Sequence, residues 1–390
     1  MAGLGYKTWV EIKSENIIHN INQFKKLIGP RVMLMSVIKS NAYGHGLVEI
    51  GKIAAKNGVD WLGVDSLDEA LKIREARINL PILVLGYTLN SRLKEAMDND
   101  ISMIIYNDET VEAMSTIKTN NKNFKVHIKL ETGTSRQGVL KEKLSSLIEK
   151  INNAGNIEIQ GISTHYANIE DTTDHSYAQK QLSAYSKIVD NIKGHKNIKI
   201  KHTACSAATI LYPETYFDMV RVGISLYGLW SSKETLALAK SNGGSKKDFK
   251  KNKLSEFSLK PALTWKSIVA QIKNIKSGTP VSYGLTEKVN KDTRVAIIPV
   301  GYWDGYDRKL SSIGNVLIKG IRCKIIGRVC MNMIVVDACS VSNLKVEEEI
   351  VLLGKQGEEE ITAEEVAQKT DTINYEVVTR INPTIPRIVK

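Results

Sequence analysis

Four polar residues of distinct chemistry stand just behind apolar, strand-like runs in this chain of 390 residues. Lys39 follows "VMLMSVI", inside the stretch "SVIKSNAYGHG" that runs from Ser36 to Gly46. A lysine at the end of a buried strand is either a solvated charge or an amine held over a pocket, where the deprotonated form is a nucleophile. Arg136 lies in "KLETGTSRQG", His165 in "STHYANIED" and Ser206 in "HTACSAAT". Taken one at a time, each has a plain structural reading: a surface ion pair for Arg136, a hydrogen-bonded half-buried ring for His165, a helix N-cap for Ser206. An N-cap serine is also where a phosphate would bind.

What must position these residues is a series of short β-branched runs. They are Val32–Ile38, Trp61–Asp65, Ile82–Gly86, Ser102–Tyr106, Lys125–Leu130, Ile159–Thr164, Ile198–Thr203 and Val220–Gly228. Amphipathic stretches of helical length, such as "LDEALKIREAR" (Leu67–Arg77), separate most of them. Eight strand–helix units within about 230 residues predict an α/β fold, a (β/α)8 TIM-like barrel, with a doubly wound open sheet as the alternative. In a barrel the chemistry sits at the C-terminal ends of the strands, and a phosphate site often follows strands seven and eight. Lys39, Arg136, His165 and Ser206 follow strands one, five, six and seven and so converge on one rim. Gly223 and Ile224 fall inside the eighth run, which is therefore drawn too long at its end.

Beyond a short helical run and a polar stretch containing "KKDFKKNK", strand-like alternation takes over from about Leu259. The expected division is a barrel over residues 1–240 and a mainly β domain over 241–390. A hydrophobic content of 42% with 25% charged residues is that of an ordinary globular chain. No apolar run reaches membrane-spanning length, and the N-terminus "MAGLGYKTWVEIKSEN" lacks the apolar core of a signal peptide. The expectation is a cytoplasmic protein with no membrane partner. The four cysteines have no paired spacing, so neither a disulfide framework nor a metal site is expected. The net charge of +12 is spread along the chain and carries no nucleic-acid-binding motif, so nucleic acid is not the expected partner.

Five ordered stretches, "VIKSNAYGHG", "RVGISLYG", "VSYGLT", "IPVGYWDGY" and "GRVCMNM", resemble the pyridoxal-phosphate-dependent alanine racemases over nearly the whole chain. The resemblance implies an isomerase that interconverts L- and D-alanine by a two-base mechanism, supplying D-alanine for peptidoglycan. It implies pyridoxal 5'-phosphate as cofactor, a small amino acid as substrate, and a homodimer with shared active sites. Lys39 matches the lysine that forms a Schiff base with the cofactor and serves as one base; Tyr283 matches the opposite base, reaching the barrel of the other subunit. Tyr43, Ser206, Gly223 and Ile224 match phosphate contacts, and Arg221 the arginine facing the pyridine nitrogen. Arginine there stays protonated and donates a hydrogen bond without giving up a proton. His165 matches part of the network around the cofactor, Arg136 and Met331 match groups near the substrate carboxylate, and Lys129 a position carbamylated in some members.

The chain departs from the usual pattern at several places. "TGTSRQG" replaces a Met-Gly before the arginine, Cys205 stands for Asn, Asn332 for Asp, and Pro383 for a tyrosine that binds phosphate and crowds the substrate side chain. The loss of that ring predicts better acceptance of serine, with alanine still used. The competing readings are a broader amino-acid racemase and a non-catalytic pyridoxal-phosphate carrier on the same barrel. Such carriers lack the β domain, so "VSYGLT" and "GRVCMNM" argue against the latter.

Overall fold

The computed structural model describes residues 5–119, 122–192, 198–241 and 254–390. "KKDFKKNK" lies outside these. The chain forms two compact units, one of Glu15–Ala42 and Ile50–Lys260, the other of Met1–Ser14, Tyr43–Glu49 and Pro261–Lys390.

Among the described residues, the first unit holds eight parallel strands. In chain order they are Met33–Val37, Trp61–Val64, Ile82–Val84, Ser102–Ile105, Phe124–Lys129, Ile157–Ser163, Ile200–His202 and Met219–Val222. The first seven pair in sequence order, and the eighth pairs with the first. The seventh and eighth close the ring less regularly. There, the Arg221 and Asp218 N–H groups donate to the carbonyls of Ala204 and Lys201, each at 3.0 Å. Every residue of Trp61–Val64, Ile82–Val84 and Ser102–Ile105 is buried, which is why these strands read as continuous apolar runs. The expected barrel is the one observed. The eighth strand ends at Val222 rather than running to Gly228: Gly223 leaves the extended region, and a 3-10 turn over Ile224–Tyr227 follows.

The intervening helices bury one stripe each. Leu67–Glu75 turns Leu67, Ala70 and Ile73 inward, and Ser66 caps it by accepting from the Glu69 N–H. Lys141–Ala154 buries Leu144, Leu147, Ile148 and Ile151 and stops at Gly155 in the left-handed region.

The β unit is discontinuous in sequence. Thr8–Ile12 pairs antiparallel with Leu263–Ile268 on one side and parallel with Arg387–Val389 on the other. A separate sheet joins Gln271–Ile275, Thr293–Ile298 and Ile334–Asp337. The segment Tyr43–Glu49 belongs here too. The Arg387 Nε–H donates to the Gly44 carbonyl at 2.9 Å, and a Cβ on Gly44 would sit 2.0 Å from the Val378 carbonyl oxygen. Only glycine fits that approach.

A comparable contact lies in the barrel interior. Gly161, on the sixth strand, faces His127 on the fifth, where the pairing slips by one residue between Val126 and His127. A Cβ on Gly161 would lie 2.4 Å from His127 Nδ1, and that ring is fully buried and cannot retreat. Gly161→Ala should lower stability by about 1–3 kcal/mol through overpacking. Gly155→Ala, whose added Cβ meets nothing within 4 Å, should cost only its left-handed backbone, about 1–2 kcal/mol. Urea midpoints check both; a Gly161→Ala protein as stable as wild type would show that this strand does not confine His127.

Candidate active site

Lys39 sits directly beyond the first strand, at the entry to an unusual turn. Ser40, Asn41, Ala42 and Tyr43 all have φ between 52° and 55°, a full left-handed turn without a glycine. Such backbone costs about 1–2 kcal/mol per residue, so the surroundings must hold it. The Ala42 N–H donates to the Ile38 carbonyl at 2.8 Å. The Asn41 N–H donates to Glu69 Oε1 at 3.2 Å, while Glu69 Oε2 accepts from the Asp65 N–H at 2.9 Å. One carboxylate thus pins the turn to the loop after the second strand. Asp65 from that loop stands 3.6 Å from Lys39 Nζ, both side chains being partly exposed.

Arg221, on the eighth strand, is a buried cation held by neutral acceptors. Its Nη1 donates to the His202 carbonyl at 2.9 Å and to His202 Nδ1 at 2.7 Å. Its Nη2 donates to the carbonyls of Thr164 and Thr203 at 2.8 and 2.9 Å and approaches His165 Nδ1 at 3.4 Å. The four Nη hydrogens are engaged, which leaves the Nε–H as the guanidinium's remaining donor. Burial lowers the arginine's own proton affinity. Burial first, and the charge of Arg221 second, hold His165 and His202 well below the usual histidine range, so both rings are neutral.

Ser206 opens the short helix Ser206–Leu211 after the seventh strand, and its Oγ accepts from the Gly223 N–H at 3.0 Å. Ser206 and Gly223 therefore meet, with Ile224 next in chain beginning the turn. Arg136 is exposed, in a loop organised by Glu131. Partial burial alone would raise the Glu131 carboxyl. The N–H groups of Gly133, Ser135, Thr134 and Arg136 outweigh it and hold the group below the ordinary range. Lys129 is 8% exposed. Burial, then Arg221, Arg136 and Lys39, bring its amine down to about 7. Three cations thus act on Lys129.

Tyr283 and Met331 lie in the β unit, so neither unit holds both expected bases. Tyr283 is 71% exposed and Met331 55%. Ser282, at φ 64°, donates from Oγ to the Arg328 carbonyl at 2.6 Å and ties "VSYGLT" to "GRVCMNM". The Tyr302 and Trp303 N–H groups donate to the carbonyls of Cys330 and Met331, each at 3.0 Å. Asn382 donates from Nδ2 to the Trp303 carbonyl at 3.0 Å, and its Oδ1 accepts from Thr384. Pro383 therefore lines the same open cleft as Tyr302, Trp303 and Arg308. Asn382 lines this cleft as well. Tyr43 stacks obliquely near Tyr375, ring centroids 6.1 Å apart.

Spacing along the chain does not single out Glu69, Asp65, His127 or His202. The last two stand on strand interiors, where a histidine reads as core. The signal available was a shared inward face: the pairing places Lys129, Ser163 and His202 in one register layer, with His127 two residues before Lys129.

A strand-end lysine, a buried arginine with no carboxylate hydrogen-bonded to it among the described residues and a serine–glycine contact thus gather in one (β/α)8 barrel, the architecture of an enzyme. The profile described as "Alanine racemase, N-terminal domain" matches residues 12–231, and "Alanine racemase, C-terminal domain" matches 262–389. The chain belongs to the alanine racemase family. It is 38% identical to an alanine racemase of Methanococcus maripaludis, over 99% of each chain. It is 37% identical to one of Leptospira interrogans, covering 98% of this chain and 96% of that one. The alanine racemase structure from Clostridium difficile 630 superposes with a TM-score of 0.90 at 34% identity, covering 100% of this chain and 97% of that chain. That from Bacillus anthracis with bound L-Ala-P superposes with a TM-score of 0.90 at 33% identity, over 100% and 96%.

The Lys129 amine yields a pH prediction. Its folded pKa of about 7 lies below the ordinary 10.5, so between those values the unfolded chain binds the extra proton. Stability contributed by this group is therefore lowest below about pH 7 and rises toward pH 10.5. Lys129→Met should gain on wild type near pH 7 and lose that advantage near pH 10.5. Urea unfolding in buffer free of carbon dioxide, which adds to neutral amines, checks this; an equal difference at both pH values would show the amine is not depressed.

Proposed function

We propose that the chain interconverts L- and D-alanine with pyridoxal 5'-phosphate, by a two-base mechanism with Lys39 and Tyr283 on opposite faces of the substrate. The observation that carries this reading is Arg221, whose Nε–H, unengaged among the described residues, suits the pyridine nitrogen. The residues present fit the cofactor. Ser206 Oγ and the Gly223 and Ile224 N–H groups, with Tyr43, would hold the phosphate, and Lys39 would bind the aldehyde carbon. When bound, the cofactor acidifies the substrate Cα–H by withdrawing electrons through its ring.

The chain's own groups do the rest. Arg136 and the Met331 N–H orient the substrate carboxylate. Lys39 takes or returns the Cα proton on one face, and the Tyr283 hydroxyl does so on the other. Arg221 donates a hydrogen bond and keeps its proton, which moderates electron withdrawal and favours return of the proton to Cα over other outcomes. Lys39 belongs to the barrel unit and Tyr283 to the β unit, whose Tyr283, Leu285, Met331 and Met333 form an exposed apolar edge. We read that edge as the surface presented to a second copy of the chain, so that the working unit is a homodimer with shared sites. The open space beside Pro383 supports some use of serine.

Two experiments test this. The cofactor-loaded protein, incubated with L-alanine and L-serine and followed by chiral separation, should racemise alanine fastest and serine measurably. Lys39→Ala should lose about 10³-fold or more and give no borohydride-fixed adduct at that position. An adduct on another lysine would overturn the site. Mixing the Lys39→Ala and Tyr283→Ala proteins should restore partial activity; no recovery despite verified subunit exchange would overturn shared sites.

A further inference from the structure

Behind Arg221 lies a second histidine that the proposed chemistry does not use. His127 and His202 are both fully buried, and His127 Nδ1 stands 2.9 Å from His202 Nε2. His202 Nδ1 is in turn 2.7 Å from Arg221 Nη1. The direction of every proton in this row follows from one fact: a guanidinium only donates. His202 Nδ1 must therefore be bare. A neutral ring then carries its hydrogen on Nε2, and that hydrogen points at His127 Nδ1. His127 must accept there and hold its own hydrogen on Nε2. Protonating either ring would set two N–H groups against each other.

The surroundings keep the row in this state. Burial, then the charge of Arg221, holds the His127 ring down at about 3, and His202 well below its usual range for the same two reasons. Gly161 leaves the room that His127 fills, and the Trp61 ring packs against it edge-on at 5.4 Å between centroids. His127 Nε2 is buried and has no hydrogen-bond partner among the described residues. A buried donor left without a partner is costly. A ring tolerated in that state is held for what its other nitrogen does.

We propose that His127 is a positioning residue: as the terminal acceptor of the row it locks His202 in the Nε2–H tautomer, anchors Arg221 through Nη1, and so fixes the direction of the free Arg221 Nε–H. The functional consequence, a correctly aimed donor to the cofactor's pyridine nitrogen, rests on the reading given above. Removing the acceptor leaves the His202 Nε2–H unpaired in a dry site. Moving that proton to Nδ1 relieves it only by driving Nη1 of Arg221 away.

The test begins without cofactor. In apo wild-type protein labelled with ¹⁵N-histidine, His202 should show a bare Nδ1 and a protonated Nε2, with scalar coupling from that hydrogen to His127 Nδ1. A proton on His202 Nδ1 would overturn the proposal whether or not any variant folds. His127→Leu should abolish this pattern, weaken pyridoxal phosphate binding about tenfold or more, and shift the visible band of the loaded protein. His127→Asn, whose Oδ1 falls near the lost Nδ1, should restore most of the affinity and the spectrum. A folded His127→Leu protein with unchanged His202 tautomer and affinity would also overturn it. Wild type that has the tautomer but binds no pyridoxal phosphate would overturn the functional reading alone and leave the tautomer lock supported.

Discussion

A buried guanidinium met only by neutral acceptors is the constraint around which the barrel interior is arranged. Arg221 cannot shed its proton and has no carboxylate hydrogen-bonded to it among the described residues. An uncompensated charge in such a place would be strongly destabilising. It is tolerated because three backbone carbonyls converge on it from the ends of neighbouring strands, and because His202 turns a lone pair toward it. The same charge then governs its neighbours. It contributes to the neutrality of His127, His165 and His202 and to the low proton affinity of Lys129. A buried guanidinium with no carboxylate hydrogen-bonded to it among the described residues favours an anionic guest, and the rings around it stay neutral.

Much of this was legible in the chain. The eight barrel strands announce themselves because strands buried on both faces are uninterrupted apolar runs, and Lys39, His165 and Ser206 follow three of them within a few residues. The role of Arg221 was not legible from spacing, since it lies within a strand and only the ordered motifs mark it. Thr8–Ile12 was missed as a strand. Its five residues, "TWVEI", resemble any short amphipathic run, and its partners lie more than 250 residues away in sequence. Glu69 was equally hidden. On a helix face it reads as a solvated acid, and its work on the Asn41 and Asp65 N–H groups depends on two loops meeting.

The left-handed turn after Lys39 explains why the motif "KSNAY" contains no β-branched residue. Ser, Asn and Ala have small or short side chains, which suit the left-handed region better than Val, Ile or Thr would.

The placement of Thr8–Ile12 has a consequence for the order in which the molecule can be made. The segment precedes the barrel strands in the chain, yet it lies between Leu263–Ile268 and Arg387–Val389, which follow them. The barrel strands all lie in the interval, and the second to the seventh can each pair with the strand made just before it. During synthesis the leading strand must therefore wait with both hydrogen-bonding edges bare. Its brevity and the acid at Glu11 are the features that keep such an edge from pairing with another nascent chain. Completion of the β unit thus waits on strands made after the barrel, and chains cut short before Arg387 would leave Thr8–Ile12 without its parallel partner.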